Sequence, residues 1–196
     1  MKLLHIFNRI DSIICYIKGY LFNILFFGFK AKKLKLHKNI DIKGKFIIGK
    51  RVSIGSNVRM YHNVMISDNV KIGDNVELRC NKSALISIGD KSAVNRNSIL
   101  YGNVKIGNNV AIAPNCHIIG GNHNFSTTKI PLDSQGSTRK GIIIENDVWL
   151  GAGVIVLDGV SIGQFSIIGA GSVVTKNIPP FSIAVGNPCK VIKSRK

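Results

Sequence analysis

The chain has 196 residues, of which 45% are apolar, and it carries 27 Lys and Arg against 10 Asp and Glu. This length suits one well-buried domain, and the apolar content excludes a chain that stays disordered for want of hydrophobic residues. The formal net charge of +17 gathers at the ends, because residues 1–50 hold 11 basic and 2 acidic side chains and residues 189–196 hold four basic ones. Terminal charge of this kind indicates a docking surface. The basic residues form no nucleic-acid-binding motif with aromatic ones, so we expect no nucleic acid as a partner.

The four cysteines indicate a reducing compartment. Cys15, Cys80, Cys116 and Cys189 are widely scattered, and none belongs to a CxxC or CxH pair. We interpret them as small buried hydrophobic residues rather than as a disulfide frame or a zinc knuckle. This usage predicts a cytoplasmic protein.

Residues 1–35 form a distinct apolar and basic segment, which we predict to be helical. Leu, Ile, Phe and Tyr dominate residues 3–29, but Arg9, Asp11 and Lys18 interrupt them, and the longest uncharged run has 11 residues. A helix that spans a bilayer needs about 20 apolar residues, so we expect this segment not to cross a membrane. No small-residue cleavage site follows it, and a secretory signal is not expected.

Two compatible interpretations of this segment stay open. An apolar helix next to a basic cluster is typical of a segment that lies on an anionic membrane face, which predicts peripheral association with the inner membrane. Alternatively, the helix caps one end of the domain and buries its aromatic side chains there. The basic cluster consists of Lys30, Lys32, Lys33, Lys35 and Lys38.

An aliphatic residue recurs every six positions along the rest of the chain. Twenty such hexads occur, eight of them have Gly at the second position, and ten have Val at the fifth. A helix would need a period of 3.6, and a sandwich would need longer strands with irregular turns. The first positions are Leu36, Ile42, Ile48, Ile54, Met60, Ile66, Ile72, Leu78, Ile88, Val94, Leu100, Ile106, Ile112, Ile118, Ile144, Leu150, Val156, Ile162, Ile168 and Val174.

The fourth position of the hexad predicts how the chain turns. It is Asn, Asp or Gly in 16 of the 20 hexads, including Asn57, Asn63 and Gly171. These residue types tolerate the left-handed backbone region. A chain that turns a corner every six residues and buries one aliphatic side chain per side winds into a solenoid, in which each short strand pairs with the strand one coil away.

The hexads are interrupted twice. Four extra residues lie between the hexads that begin at Leu78 and Ile88. A longer excursion, residues 124–143, follows His123 and contains Pro, Gly, Ser, Thr and charged residues. We predict a surface loop without strands there. Long loops on rigid scaffolds are where functional sites collect.

Three features resemble the hexapeptide-repeat acyltransferases, and most of all the branch that holds galactoside, maltose and polysaccharide O-acetyltransferases. They are the [LIV]-G-x-x-x-x repeat, the stretch NDVWLGAGVIVLDGVSIG, and the tail IGAGSVVTKNIPP with VGNPCKVIK. The resemblance covers residues 36–196. It implies an all-β fold, a left-handed parallel β-helix with three hexads per coil over residues 36–178, followed by a basic C-terminal tail, residues 179–196. It also implies a homotrimer with active sites between neighbouring subunits.

The resemblance gives His123 the role of catalytic base, because VKIGNNVAIAPNCHIIGGNHN is similar to the family segment that ends in its catalytic histidine. The chemistry agrees, since the imidazole of histidine titrates close to neutral pH and can take a hydroxyl proton and return it to a leaving thiolate. His117 is a rival one hexad earlier. Together with His62 these histidines could suggest a zinc site like that of the γ-class carbonic anhydrases, but His62 occupies the wrong hexad position. We therefore expect no metal.

The same resemblance implies acetyl-CoA as the acetyl donor. Six residues of this chain match the positions that contact the pantetheine arm and the phosphates of CoA in the family. Family members commonly have Arg at the last two of these positions, where this chain has Lys. Lys provides charge there without the bidentate fork of Arg. The matching residues are Ala152, Ala170, Thr175, Lys176, Lys190 and Lys193.

Acceptor contacts are implied at Asn95 and Tyr101. Galactoside-type members place a carboxylate where this chain has Tyr101, and an aromatic ring could instead stack on a sugar ring. Trp149, the only tryptophan, could border the thioester pocket or pack under the loop.

The favoured function is O-acetylation of a sugar hydroxyl during the assembly of a surface polysaccharide such as an O-antigen or capsule. One alternative is N-acetylation of an amino-sugar nucleotide or a drug. Another is a non-catalytic β-helix scaffold, against which the GAGSVVTK tail and His123 argue.

Overall fold

The computed structural model describes residues 33–195 together with two isolated positions, Ile14 and Ile17, both in helical conformation. Residues 33–35 of the predicted helical segment 1–35 are not helical, because Leu34 is buried in the core and Lys35 begins the first strand. The rest of that segment otherwise lies outside the described residues. In the part of the chain that the structure describes, no helix has the length and apolar character needed to cross a membrane.

The described residues form 24 short strands and one 3-10 turn, Leu132–Gln135. The strands are β1 (Lys35–Leu36), β2 (Asp41–Lys43), β3 (Phe46–Ile48), β4 (Ser53–Ile54), β5 (Arg59–Tyr61), β6 (Val64–Ile66), β7 (Lys71–Ile72), β8 (Glu77–Arg79), β9 (Ile86–Ile88), β10 (Ala93–Val94), β11 (Ile99–Gly102), β12 (Val104–Ile106), β13 (Ala111–Ile112), β14 (His117–Gly120), β15 (Asn122–His123), β16 (Ser137–Thr138), β17 (Ile142–Ile144), β18 (Trp149–Leu150), β19 (Ile155–Leu157), β20 (Ser161–Ile162), β21 (Ile167–Ile168), β22 (Val173–Val174), β23 (Ser182–Val185) and β24 (Lys190–Ser194).

Three sheets form the walls of a β-solenoid, as the hexads predicted. Sheet A has the order β1-β4-β7-β10-β13-β18-β21-β23-β24, sheet B has β2-β5-β8-β11-β14-β19-β22, and sheet C has β20-β17-β12-β9-β6-β3. The eight strands of sheet A from β1 to β23 pair in parallel, one per coil, so the solenoid has about eight turns. Leu36 pairs with Ile54 and Ile54 with Ile72, which gives 18 residues, or three hexads, per coil.

The hexad residues fill the interior of the solenoid. Nineteen of the twenty first-position aliphatic side chains are buried, and Ile42 in the second hexad is half-buried. Serines occupy some of the buried fifth positions, where their hydroxyls bond to backbone groups. The hydroxyl of Ser92, for example, donates to the Gly107 carbonyl (2.8 Å) and accepts from the Val110 N–H (2.9 Å). Within the described residues, no buried side-chain polar atom lacks a partner.

The corners use left-handed residues, although one corner departs from the prediction. Fourteen of the twenty fourth-position residues have positive φ. At the corner between sheets B and C (residues 44–45, 62–63, 102–103, 158–159 and 175–177, hereafter the B–C corner), the left-handed residue often comes one position earlier, as His62 does with φ 70°. Asn63, predicted to be left-handed, is not, and its Nδ2 donates instead to the carbonyls of Lys82 (2.8 Å) and Ala84 (3.0 Å).

Both predicted interruptions are present, but the longer one is not a plain loop. Ile72 pairs with Val94 and Ile112 with Leu150, so these two coils are longer than 18 residues by four and by twenty. The prediction that residues 124–143 contain no strand is wrong. Ser137–Thr138 pairs antiparallel with Asn122–His123, and Ile142 returns to the core as part of β17 because its side chain is buried. Residues 179–196, predicted as a tail, hold β23 and β24.

The described cysteines are free thiols that lie in the interior. Cys80, Cys116 and Cys189 are buried and unpaired. Burial raises the pKa of each of these thiols, because the charged thiolate would lose its hydration. They are therefore packing residues rather than nucleophiles.

Candidate active site

The excursion at the B–C corner is an ordered hairpin, residues 121–141. Its two strands, β15 and β16, pair His123 with Ser137 and Asn122 with Thr138. The backbone N–H and the Nδ2 of Asn124 donate to the carbonyls of Gly136 (3.0 Å) and Gln135 (2.9 Å). Gln135 in turn accepts from the Thr127 N–H and donates to the Thr127 carbonyl (2.8 Å). These bonds hold the hairpin in one internal conformation.

His123 lies at the root of this hairpin with its side chain exposed. Across residues 33–195, no group forms a hydrogen bond or an ion pair with its imidazole. Among the described residues, the ring is therefore accessible at the root of the hairpin.

A pocket of about 370 Å³ opens beside the same root. It brings together the start of the hairpin, its return and the two following coils. Thr175, predicted as a cofactor contact, is one of its residues, and Asn122 joins it directly to His123. The pocket is lined by Ile119, Gly121, Asn122, Thr138, Lys140, Leu157, Asp158 and Thr175.

Asp158 is a residue of this pocket that the sequence reasoning missed. Its two carboxylate oxygens accept from the backbone N–H groups of Lys140 (3.0 Å) and Gly141 (2.8 Å), and the Gly159 N–H donates to the Gly141 carbonyl (2.9 Å). Asp158 thus ties the returning strand of the hairpin to the solenoid. The Asp-Gly pair at a hexad corner is a turn signal that could have drawn attention to it.

Replacing Asp158 with Ala should loosen the return of the hairpin. A hydrogen bond to a charged group contributes about 1.5–3 kcal/mol, so we expect the amide hydrogens of Lys140 and Gly141 to exchange about 10- to 100-fold faster. Hydrogen exchange followed by mass spectrometry measures this. Asp133→Ala, which removes an exposed carboxylate from the 3-10 turn of the same hairpin, is the matched control and should leave both amides unchanged. Unaltered protection in Asp158→Ala would contradict the anchoring role.

The residues predicted to contact acetyl-CoA and the acceptor sugar lie at two different corners of one chain. Asn95, Ala152 and Ala170 follow strands of sheet A, at the corner between sheets A and B (residues 95–98, 113–116, 151–154 and 169–172, hereafter the A–B corner), and all three are exposed. The Nδ2 of Asn95 donates to the Ile112 carbonyl (2.8 Å). Thr175, like His123, lies at the B–C corner.

The predicted lysines are all exposed. Lys176 follows Thr175 at the B–C corner, and Lys190 and Lys193 lie on β24, the edge strand of sheet A. Lys193 pairs with Ile183 and Lys190 with Val185 across the antiparallel ladder. A strand with exposed cationic side chains offers positive charge to an anionic ligand.

Tyr101 lies close to the hairpin root. It pairs with Ile119 in the next coil of sheet B, and 40% of it is exposed. Its Cε1 lies 3.6 Å from the position a Cβ would take on Gly121, two residues before His123. Its ring therefore forms a wall on the N-terminal side of the site.

The other predicted residues lie apart from this site. Trp149 is 52% exposed on sheet A, in register with Ala111 and Ile167, rather than under the hairpin. His117 projects from the first position of β14, between Ile99 and Ile155. Among the described residues, no group of three or more His, Cys, Asp or Glu side chains could hold a metal ion.

Part of this solenoid is similar in sequence to known acetyltransferases. The signature of the bacterial transferase hexapeptide (six repeats) matches residues 141–176. A Staphylococcus aureus protein named as an acetyltransferase is 53% identical over 74 residues, which are 35% of this chain and 37% of that protein. The galactoside O-acetyltransferase of Lactococcus lactis is 62% identical over 53 residues, 27% of this chain and 26% of that enzyme.

Over this part of its length the chain is similar to the hexapeptide-repeat acetyltransferases. A solved hexapeptide transferase family protein from Anaplasma phagocytophilum covers 81% of this chain and 86% of its own, with a TM-score of 0.64 and 17% identity, a likeness of fold alone. The chain matches between about a quarter and two fifths of the length of the curated relatives. The hexapeptide signature spans β17 to β22 and ends at Lys176, so it includes Ala152, Ala170 and Thr175.

Proposed function

We propose that this protein transfers an acetyl group from acetyl-CoA to a hydroxyl of a sugar, with His123 as the general base. The observation that carries the proposal is the exposed His123 imidazole at the root of the hairpin, next to a pocket that includes Thr175. The similarity to acetyltransferases supports acetyl transfer, and the galactoside O-acetyltransferase among the relatives favours a sugar acceptor.

The chemistry requires one base and correct alignment. The His123 imidazole takes the proton of the acceptor hydroxyl while that oxygen attacks the thioester carbonyl carbon. The C–O bond forms, the C–S bond breaks, and the imidazolium returns the proton to the departing thiolate. Backbone N–H groups supply the donors for the oxyanion.

The predicted CoA contacts lie at two corners of one chain, which favours a site between two copies, and the resemblance implies that the copies form a homotrimer. Ala152 and Ala170 at the A–B corner and Thr175 and Lys176 at the B–C corner would contact one CoA only if two copies face each other. In this arrangement His123 of one subunit works on a thioester held partly by its neighbour, and Lys190 and Lys193 meet the CoA phosphates. We propose a left-handed coil for each subunit, as the resemblance implies.

The acceptor is proposed to meet Tyr101 first. Its exposed ring beside Gly121 offers a flat surface for a sugar ring, and the hydroxyl to be acetylated then reaches His123. Asn95 and Trp149, which lie on other sides of the same chain, would take part in this site only from a neighbouring subunit.

We propose a surface polysaccharide precursor as the acceptor. The basic residues at both ends and the apolar segment 1–35 favour a cytoplasmic protein held at the inner membrane. In this proposal, the apolar and basic segment that precedes β1 is a unit separate from the solenoid, which begins at β1 and continues into β23.

The test is acetyl transfer by the purified full-length chain. We expect release of CoA thiol that depends on a sugar acceptor, and a product whose acetyl group is removed by mild alkali, as an ester is. An alkali-stable product on an amino sugar would favour N-acetylation. Absence of acceptor-dependent thiol release with mono- and oligosaccharides of varied structure would contradict the proposed transferase.

A further inference from the structure

A second and larger pocket, of about 620 Å³, lies on the N-terminal side of Tyr101. Its outer wall is one column of sheet B, in which Lys43, Tyr61, Arg79 and Tyr101 occupy the same register position in successive coils. Adjacent strands are about 4.8 Å apart, so the column extends roughly 14 Å from Tyr101. Tyr101 separates this pocket from the hairpin root, and a ligand that passes the ring connects the two.

Two cations in this column are held in place by an aromatic ring. Tyr61 has the Nζ of Lys43 5.4 Å from its ring centroid and the guanidinium carbon of Arg79 at 4.9 Å. The Tyr61 hydroxyl donates to Asp41 (2.7 Å), a bond that lowers the pKa of Asp41 and raises the pKa of Tyr61. The ring is fixed by this bond, and cation–π attraction keeps both cations at the pocket.

The charge of the cluster stays positive. Glu77, with a side chain only 14% exposed, accepts from Arg59 (2.6 Å) and from the Nε of Arg79 (3.0 Å). Asp41 offsets Lys43 at 3.3 Å. Three cations therefore meet two carboxylates, which leaves one positive charge. The bond to Glu77 uses the Nε of Arg79, and its two terminal nitrogens keep the fork geometry that suits a carboxylate or a phosphate.

We propose that this pocket binds an anionic sugar, one that carries a carboxylate or a phosphate, as the neighbouring part of the acceptor glycan. Arg79 and Lys43 take the anion, and Tyr101 contacts the ring that continues towards His123. The inference rests on the proposed function and deepens it, because it makes the enzyme selective for acidic over neutral glycans. His62, at the left-handed turn that follows Tyr61, also lines this pocket and adds an imidazole that can donate to the anion.

The test measures binding to the full-length protein by saturation-transfer NMR without acetyl-CoA, using glucuronic acid, glucose 1-phosphate and glucose as probes. We expect both anionic probes to bind at least tenfold more tightly than glucose at low salt, and the preference to shrink as salt screens the charges. The stronger of the two anions identifies the charged group. Equal binding of all three probes would overturn the proposal.

Variants locate the pocket. Arg79→Gln should remove the anion preference, and Arg79→Lys, which keeps a charge beside Glu77 but loses the fork, should keep part of it. Arg51→Gln is the matched control, because Arg51 also uses its Nε on a side-chain oxygen, of Asn69 (2.6 Å), but outside this pocket. An equal loss in Arg51→Gln would overturn the assignment.

The outcome separates this inference from the transferase proposal. His123→Ala should bind the anionic probes as the unmodified chain does, since the imidazole lies outside the pocket lining. If the protein prefers the anionic probes but transfers no acetyl group, the binding proposal holds and the transferase proposal is wrong. If it transfers acetyl groups but shows no preference for the anionic probes, the transferase proposal holds and the binding proposal is wrong.

Discussion

His123→Ala should reduce acetyl transfer about 100- to 10,000-fold, the range over which a general base contributes to a proton transfer. The loss should fall on kcat, measured as CoA thiol release at saturating acceptor, because the imidazole acts on the proton that moves and not on the binding of CoA. Since the ring is exposed and contacts no hydrogen-bond partner among the described residues, stability should change by less than about 0.5 kcal/mol.

His117→Ala is the matched control for this prediction. His117 is likewise exposed, lies six residues earlier at the start of β14, and is not among the residues that line the pocket beside the hairpin root. Its loss should leave kcat within about twofold. Near-native turnover in His123→Ala, or an equal loss in His117→Ala, would contradict the role of His123 as the general base. The base would then have to be another residue near the pocket that includes Thr175.

The solenoid could be predicted from sequence because its rules are local and repeated. An aliphatic residue such as Ile54 faces the interior in every coil, and a residue such as Asn57 takes the left-handed turn with φ 57°. A wrong interpretation of one hexad does not change the predicted fold, since all twenty hexads follow the same pattern. The excursion after Ile118 was visible as a gap in the period, and its length followed from where the period resumed.

The hairpin and the pockets could not be predicted in the same way, because they depend on contacts between coils. Nothing in the period indicates that Asp158 would hold the amides of Lys140 and Gly141. The alignment of Lys43, Tyr61 and Arg79 in successive coils can be predicted only if the register between coils is known. That register depends on where the four extra residues lie, which is after Arg79. His62 takes the turn predicted for Asn63 because Asn63 caps carbonyls of the next coil.

The second large effect is expected at Gly102, which ends β11 just below the hairpin root. Its φ is +87°, and a Cβ there would overlap the carbonyl oxygen of Gly120 in the next coil. Gly102→Asn should therefore destabilise the fold by about 3 kcal/mol or more, since both strain and overpacking contribute. For a chain of this size that corresponds to a fall in melting temperature of roughly 6–12 °C, which calorimetry or circular dichroism measures.

Gly171→Asn separates the two causes. Gly171 also has positive φ, +69°, but no atom lies within 4 Å of its added Cβ. Asparagine already occupies such turns at Asn57 and Asn69, so this variant should shift the melting temperature by no more than about 2 °C. A comparable loss in both variants would mean that backbone strain alone limits these corners. If only Gly102→Asn is destabilised, the close approach of the Gly120 carbonyl in the next coil is the reason that position 102 requires glycine.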